Sequence, residues 1–264
     1  MSKEVSVARS RACLADALHV LRKGSALAAL VLVTGFAAAP CNAANGQLVP
    51  PRPAAQEMPD WSGVWSSNGG FLFDNKTGEV REDAPFNAEY QAKYDGIMDA
   101  AARGVPLEDL GAMCFPPGLP RVMFQNYPLE FIVTPNQVWI LQEYQSQARR
   151  IYTDGRKHPE ELDPSFNGYS VGHWEGETLV VDSRGIRADL RLDRYVPHSD
   201  ALRVIERIRR VNATTMEDRI TVEDSKALTR PWTTVRTYTL QPTWEMREYE
   251  CAENNRDIIL PRQK

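Results

Sequence analysis

The sequence predicts a mainly β protein, built as a single antiparallel barrel with one peripheral helix. Three observations support this fold class. Short segments of alternating polar and apolar residues follow one another from Leu129 onward, tight-turn residues separate them, and one stretch has helical periodicity. Roughly ten such segments with short links are typical of an antiparallel barrel or sandwich, and closure into a barrel removes exposed strand edges.

Residues 1–43 have the features of a secretory signal peptide. Arg22 and Lys23 end a basic region, an apolar run extends from Ser25 to Ala39, and small residues continue to Ala43. The run is shorter than the ~20 residues of a spanning helix. We therefore expect cleavage near Ala43 and a periplasmic or secreted protein of a Gram-negative bacterium, with no membrane span after cleavage. An uncleaved membrane anchor is the alternative.

Residues 44–59 are rich in Pro, Ala and Gln and are predicted to form a flexible tether. The β-barrel domain then spans residues 60–264. A short strand with tryptophan anchors opens the domain at 60–65. Apolar residues at helical spacing predict one helix between Asn87 and Arg103, with its first residue as N-cap. The prolines of segment 114–121 exclude regular structure there, because they lack amide donors.

The remaining segments alternate with period 2 and are separated by turn residues such as Asp154-Gly155 and Glu175-Gly176-Glu177. The predicted strands are Leu129–Val133, Val138–Tyr144, Ala148–Thr153, Tyr169–Trp174, Thr178–Asp182, Leu202–Arg209, Glu217–Val222, Trp232–Leu240 and Trp244–Cys251.

The sequence contains 4 cysteines, of which Cys13 and Cys41 would leave with the signal peptide. Because paired cysteines are the rule in an oxidising compartment, Cys114 and Cys251 are predicted to form a disulfide. Its long loop would stabilise the fold by ~4 kcal/mol on the chain-entropy estimate. Two buried free thiols are the alternative.

Two carboxylates fall on faces that should point into the barrel. Glu206 shares the apolar face of Leu202–Arg209, and Asp218 shares that of Glu217–Val222. Inward carboxylates are costly unless they are paired. We expect them either to meet arginines inside the barrel or to line a polar cavity.

The candidate catalytic residues are His173, Arg121 and Glu206. His173 lies in a hairpin rich in polar and aromatic residues and has an ordinary pKa near neutrality. Arg121 ends the proline-rich loop, where its planar guanidinium could hold an anion. The alternatives are that His173 hydrogen-bonds within the sheet and that Arg121 pairs with Glu130, Glu143 or Glu206. Candidate ligand-binding residues, chosen for aromatic surface or for a place near a barrel mouth, are Tyr169, Trp174, Trp232, Glu143, Arg150 and Asp182.

Composition argues against several classes of function. The net charge is −4 and the sequence has no basic block, so nucleic acid is not an expected partner. After signal cleavage the histidines are His158, His173 and His198, and none lies at metal-ligand spacing from another, so no metal is expected. We also expect no cofactor, because there is no glycine-rich phosphate loop and no Gly-x-Ser-x-Gly elbow.

Several short motifs carry a family likeness: Asp60-Trp61-Ser62-Gly63-Val64-Trp65, Gly118-Leu119-Pro120-Arg121, Asp154-Gly155-Arg156-Lys157-His158-Pro159, Gly172-His173-Trp174-Glu175-Gly176-Glu177-Thr178-Leu179-Val180-Val181-Asp182, Arg230-Pro231-Trp232 and Glu250-Cys251-Ala252-Glu253-Asn254-Asn255. Together they resemble a group of exported, mostly uncharacterised bacterial proteins. The opening Gly63-Val64-Trp65 also resembles lipocalin-type (calycin) barrels. That second likeness implies a lipocalin-like cup for a small hydrophobic molecule, and it implies nothing about chemistry.

Two functions fit these features, both with a small-molecule substrate or ligand. The first is a cofactor-independent lyase, isomerase or hydrolase acting by acid–base chemistry on a small aromatic or terpenoid-like compound. The second is a non-catalytic periplasmic carrier or binding protein for a small hydrophobic ligand. The inward ionisable groups favour the enzyme, because a passive binder of apolar ligands would avoid them.

Overall fold

The protein is described by a computed structural model over residues 58–68, 83–106, 109–193 and 195–254. The predicted signal peptide, most of the predicted tether and the C-terminal residues 255–264 lie outside the described residues. Within this part of the chain, no helix is long and apolar enough to cross a membrane.

Nine strands form one closed barrel in which sequence neighbours pair and the last strand pairs with the first. The strands are β1 (Val64–Asn68), β2 (Leu129–Val133), β3 (Gln137–Gln142), β4 (Gln147–Tyr152), β5 (Tyr169–Glu175), β6 (Thr178–Arg184), β7 (Leu202–Asn212), β8 (Thr215–Asp224) and β9 (Trp232–Leu240). The helices are α1 (Ala88–Ala102), the short α2 (Cys251–Asn254) and two 3₁₀ turns, Leu110–Met113 and Arg121–Phe124. The prediction of a mainly β barrel with one substantial helix is confirmed.

The strand pairs are antiparallel with one exception, β4 with β5. These two strands are parallel, and their pairing is confined to Ile151↔Ser170 and Tyr152↔Val171. A wholly antiparallel barrel was therefore the wrong prediction at this pair. The cause is the long link 153–168, which returns the chain to the end of the barrel where β4 starts, so that β5 runs in the same direction as β4. A tight turn would have produced an antiparallel hairpin.

The predicted strand Trp244–Cys251 is also wrong. Residues 241–250 are irregular except for a single bridge between Tyr144 and Tyr249, and α2 follows. The barrel is already closed by β9 pairing with β1, so no sheet edge remains there for another strand to join.

Helix α1 begins where its capping residue predicts. The side chain of Asn87 accepts a hydrogen bond from the Tyr90 amide at 3.0 Å and donates one to the carbonyl of Lys226 at 2.8 Å. Tyr90 is the buried residue of the helix, and its ring packs beside Phe86. The first turn of α1 is therefore what anchors the helix to the β8–β9 link.

The interior of the described barrel is filled by side chains. Aliphatic and aromatic residues from eight of the nine strands form one buried cluster that also includes Trp61 and Phe124, and Trp174 of β5 packs against it. The 3₁₀ turn at Arg121–Phe124 adds Met123, which is fully buried and whose carbonyl accepts a hydrogen bond from the Tyr238 hydroxyl at 3.1 Å. The segment predicted to be irregular, 114–121, has no regular structure up to Pro120, and the turn begins at its last residue, Arg121.

The disulfide between Cys114 and Cys251 is confirmed. It joins residues 137 positions apart in the sequence and links the proline-rich loop to α2. Beside it, the rings of Tyr127, Tyr144 and Tyr249 pack against one another with centroids 4.8–5.7 Å apart. The C-terminal segment is therefore held to the barrel by a covalent bond and by an aromatic cluster.

Candidate ligand site in the barrel wall

The parallel β4–β5 pair leaves a cleft in the barrel wall. Because pairing is confined to the far end of β4, its earlier residues diverge from the segment that leads into β5. The cavity there has a volume of about 280 Å³. We call it the β4–β5 cleft, and it is lined by Trp139, Ala148, Arg149, Arg150, Tyr152, Asn167, Gly168, Tyr169 and Ser170.

One edge of the β4–β5 cleft depends on a glycine. Gly168 has φ +61°, and a Cβ at this position would lie 2.4 Å from the backbone oxygen of Arg184. A side chain is therefore excluded both by backbone conformation and by space. This close approach fixes where the chain enters β5.

The outer wall of the cleft is a ladder of aromatic rings and guanidinium groups. Trp139 and Arg150 are cross-strand partners, and the guanidinium lies 4.1 Å from the centre of the indole ring. Arg150 also donates a hydrogen bond to the Tyr152 hydroxyl at 3.1 Å. The Tyr152 ring stacks on Tyr169 with centroids 5.2 Å apart. These contacts hold flat surfaces at the entrance of the cleft.

The floor of the cleft is Arg149, which points into the barrel. Its two terminal nitrogens form a bidentate ion pair with Glu206, with Nη1 to Oε1 at 2.7 Å. Nη2 also donates to the hydroxyls of Ser170 and Ser183, which lie 2.7 Å from each other. Both charged side chains are at most 3% exposed. The first of the two predicted alternatives for Glu206, pairing with an arginine inside the barrel, is the one observed.

Two polar atoms of residues that line the cleft are left without partners among the described residues. The Nε–H of Arg149 is buried and forms no hydrogen bond, and neither does Oδ1 of Asn167. The amide nitrogen of Asn167 makes a long contact of 3.5 Å with Gln147. A buried guanidinium N–H normally finds an acceptor, and this one lies on the interior face of β4, out of reach of the cleft.

The second inward carboxylate, Asp218, is buried, and no N–H or O–H of a described residue donates to either of its oxygens. Burial raises the pKa of Asp218 well above its usual range, and the negative charge of Glu206, together with a hydrogen bond to Glu206, raises it further, against the opposing charges of Arg149 and Arg236. The folded protein therefore favours the neutral acid at this position.

Asp218 should make stability fall as the pH rises. Between the unfolded and folded pKa values the native state binds the extra proton, so the unfolding free energy declines with pH by ~1.4 kcal/mol for each unit of pKa elevation. We expect Asp218→Asn to be more stable than the unaltered protein at pH 8 and to lose this advantage near pH 4. Urea unfolding across this pH range measures it. The exposed Asp200→Asn is the control and should show no such gain at pH 8, and destabilisation by Asp218→Asn at every pH would contradict the assignment.

The three predicted catalytic residues are not brought together. Gly172, Val181 and Glu206 form one cross-strand row, whereas His173 belongs to the next row, on the opposite face of the sheet. The His173 side chain is 65% exposed and contacts Glu175 at 3.2 Å. His173 and Glu206 therefore face opposite sides of the barrel wall, and no substrate inside the barrel could touch both.

Arg121 also lies apart from the proposed chemistry. Its Nη1 is 2.9 Å from each carboxyl oxygen of Asp109, and both side chains are largely buried. This is the ion-pair alternative, with Asp109 in place of the three glutamates considered. The acid–base mechanism through His173, Arg121 and Glu206 thus has no support in these positions.

Of the predicted ligand-binding residues, Tyr169 and Arg150 line the β4–β5 cleft. Trp232 is a core residue, 2% exposed, and Trp174 packs edge-on against Trp61 with centroids 5.1 Å apart. Glu143 accepts a hydrogen bond from the amide of Arg247 at the end of the barrel. These three positions are explained by packing or by local hydrogen bonds.

Asp182 lies on the outer face and holds a cluster of cations. Partial burial would raise the pKa of its carboxyl, but hydrogen bonds from Arg203 and Arg184 outweigh this and lower the pKa to about 2. His158 lies 3.7 Å from the same carboxylate. Because Arg184 and Arg203 already balance the charge of the Asp182 carboxylate, we assign the cluster to the sheet surface and not to a ligand.

Sequence reasoning missed Arg149 and Asn167. A signal for Arg149 was present, because alternation places it on the same face as the apolar Ile151 and therefore inward. Asn167 lies in an irregular link, where no periodicity indicates the direction of a side chain.

The fold and the cleft together define a closed β-barrel with a ligand-sized opening in its wall. The described residues contain no group of three or more His, Cys, Asp or Glu side chains placed to hold a metal ion. No protein-family model matches the chain, and no curated protein sequence matches it significantly.

Proposed function

We propose that the protein is an exported, non-catalytic binding or carrier protein for a small planar organic compound held in the β4–β5 cleft. The observation that carries this proposal is the wall of the cleft, where the indole of Trp139 and the stacked rings of Tyr152 and Tyr169 surround a polar floor. Ligand sites commonly combine such flat apolar surfaces with a few fixed polar groups. The volume of 280 Å³ suits a compact ligand.

The chemistry of the lining favours binding over turnover. Proton transfer near neutral pH needs a group whose pKa lies near the working pH. Within the described part of the chain, the cleft is lined by no His, Asp, Glu, Cys or Lys side chain, and these are the groups that most often transfer protons near neutral pH. The second predicted function, a carrier, therefore fits the cleft better than an acid–base enzyme.

Export and a lipocalin-like role belong to the same proposal. The signal-peptide features of residues 1–43 support export, and a disulfide is the expected companion of an oxidising compartment. The closed barrel, whose first strand begins within Gly63-Val64-Trp65, supports a lipocalin-like ancestry. The ligand position differs from a central cup, because the described interior is filled by side chains and the cleft lies between two strands.

Filling the cleft tests this function. Ala148 is an exposed cleft residue, so Ala148→Trp should occupy the space without disturbing the core. We expect it to weaken binding of small aromatic compounds by at least ~10-fold, as measured by native mass spectrometry on a library of aromatic acids, amides and alcohols.

The matched control is Ala213→Trp, an exposed alanine in the β7–β8 turn, which should bind as the unaltered protein does. Unchanged binding in Ala148→Trp would place the ligand elsewhere. New masses corresponding to converted compounds would contradict the carrier proposal and restore the enzyme.

A further inference from the structure

The β4–β5 cleft has an unbalanced charge. Arg149 and Arg150 both line it, and no Asp or Glu is among its lining residues. Arg149 is neutralised by Glu206, but Arg150 has no ion-pair partner in the described part of the chain. A cleft with a net positive charge attracts an anionic ligand.

Two neighbouring arginines of the outer face have carboxylate partners, unlike Arg150. Arg156 pairs with Asp154, and Arg207 pairs with Glu175. Instead of a carboxylate, Arg150 has the Trp139 ring on one side and the Tyr152 hydroxyl at its edge. These contacts orient the planar guanidinium and leave hydrogen-bonding capacity for an oxyanion.

The amide of Asn167 offers a second attachment point. Asn167 has an unpartnered oxygen and a long contact from its nitrogen, and rotation of the amide by half a turn presents N–H in place of that oxygen. Arg149 and Arg150 are consecutive residues of β4, so their side chains point to opposite faces of the sheet, and Arg149 stays on the interior face with Glu206. One oxygen of an entering anion can thus be received by Asn167 while Arg150 holds the other at the rim.

We infer that the ligand of the β4–β5 cleft is a planar aromatic carboxylate, with its ring beside Trp139 and Tyr169 and its carboxylate bound by Arg150 and Asn167. The inference rests on the proposed function and names its ligand class. A carboxylate fits because it is planar and offers two oxygens to guanidinium donors. The small volume of the cleft limits the ligand to about the size of a single ring system.

Two probes that differ in charge but hardly in shape test the inference. 4-Hydroxybenzoate should bind at least ~10-fold more tightly than 4-hydroxybenzamide in isothermal titration calorimetry. Raising the salt concentration should weaken the binding of 4-hydroxybenzoate and leave that of 4-hydroxybenzamide unchanged. Arg150 is exposed to solvent, so salt screens its attraction for the carboxylate.

Arg150→Gln should remove the preference for the carboxylate. The affinity for 4-hydroxybenzoate should fall by ~10-fold, and the affinity for 4-hydroxybenzamide should change by less than ~2-fold. Arg150 is exposed, so the variant should fold. Asn167→Asp provides a second variant. Its added negative charge should repel the carboxylate and weaken the binding of 4-hydroxybenzoate, while the binding of 4-hydroxybenzamide stays unchanged. The matched control is Arg219→Gln, an exposed arginine on β8 away from the cleft.

The outcomes separate the two proposals. Equal affinity for both probes, abolished by Ala148→Trp, would overturn the carboxylate inference and leave the binding function standing. Binding of the carboxylate that survives Arg150→Gln and Asn167→Asp would also overturn the inference. Failure of both probes to bind at millimolar concentration would contradict the inference and the proposed function together.

Discussion

Glu206→Ala should lower the free energy of unfolding by ~3–5 kcal/mol, because removing one member of a buried ion pair leaves the other charge uncompensated. Arg149 would then keep hydrogen bonds to the hydroxyls of Ser170 and Ser183, and the neighbouring Asp218 would have to ionise in the interior, against its burial, to balance the charge. Urea unfolding followed by circular dichroism measures the loss. The result would show that Arg149 depends on Glu206 for its place in the interior.

A double variant and a surface control sharpen this prediction. Arg149→Met combined with Glu206→Leu removes both charges and should recover most of the lost stability, since apolar replacements of buried ion pairs are often neutral or better. Glu217→Ala breaks an exposed pair with Arg209 and should cost less than ~1 kcal/mol. A loss below ~1 kcal/mol in Glu206→Ala would mean that water reaches Arg149 and that the pair is not buried.

Replacing both cysteines by alanine should cost ~4–5 kcal/mol of stability on the chain-entropy estimate, because the Cys114–Cys251 bond closes a loop of more than a hundred residues. The region that loosens first should be the proline-rich loop, α2 and the tyrosine cluster of Tyr127, Tyr144 and Tyr249. Urea unfolding gives the total loss, and hydrogen exchange locates it.

The barrel strands serve as the internal control for the cysteine variant. Amides of β7 and β8, which pair along most of their length, should remain the slowest to exchange. Faster exchange spread evenly over all strands would contradict a local role of the bond. The Arg121–Asp109 ion pair lies in the same loop, so the variant should also expose Arg121.

The parts of the fold that sequence predicts well depend on local signals. The capping side chain of Asn87 and helical spacing place α1 within a residue of its observed ends, and Gly176 marks the hairpin between β5 and β6. Alternation correctly turned Glu206 and Asp218 inward. In each case the information lies within a few neighbouring residues.

The β4–β5 cleft was not predictable in this way. It arises because β4 and β5 are parallel and paired over only two residues each, which depends on the path of the link 153–168. That link has no periodicity, and Asp154-Gly155 resembles the turn of an ordinary hairpin. Closure of β9 onto β1 is likewise a long-range event, and it explains why Trp244–Cys251 is not a strand.

The candidate site shows the same limit. Tyr169 and Arg150, which were chosen by composition and position, line the β4–β5 cleft, whereas His173 was chosen for its chemistry alone. A histidine in a strand points to one face or the other, and the register with Val180 and Arg207 puts His173 outside. The chemistry of the imidazole suggested a catalytic residue, but the strand register places it on the outer face of the barrel, away from Glu206.

The account depends most directly on where a planar carboxylate binds. In a two-dimensional ¹H–¹⁵N NMR titration with 4-hydroxybenzoate, we expect the largest shifts at the Trp139 indole N–H, the Gly168 and Ser170 amides and the Arg150 Nε–H. Two other cavities provide the contrast, one beside α1 at Ile97 and Val105, and one beside Leu162 and Arg203. Shifts confined to either of those places, with Trp139 and Arg150 unmoved, would contradict the β4–β5 cleft as the ligand site.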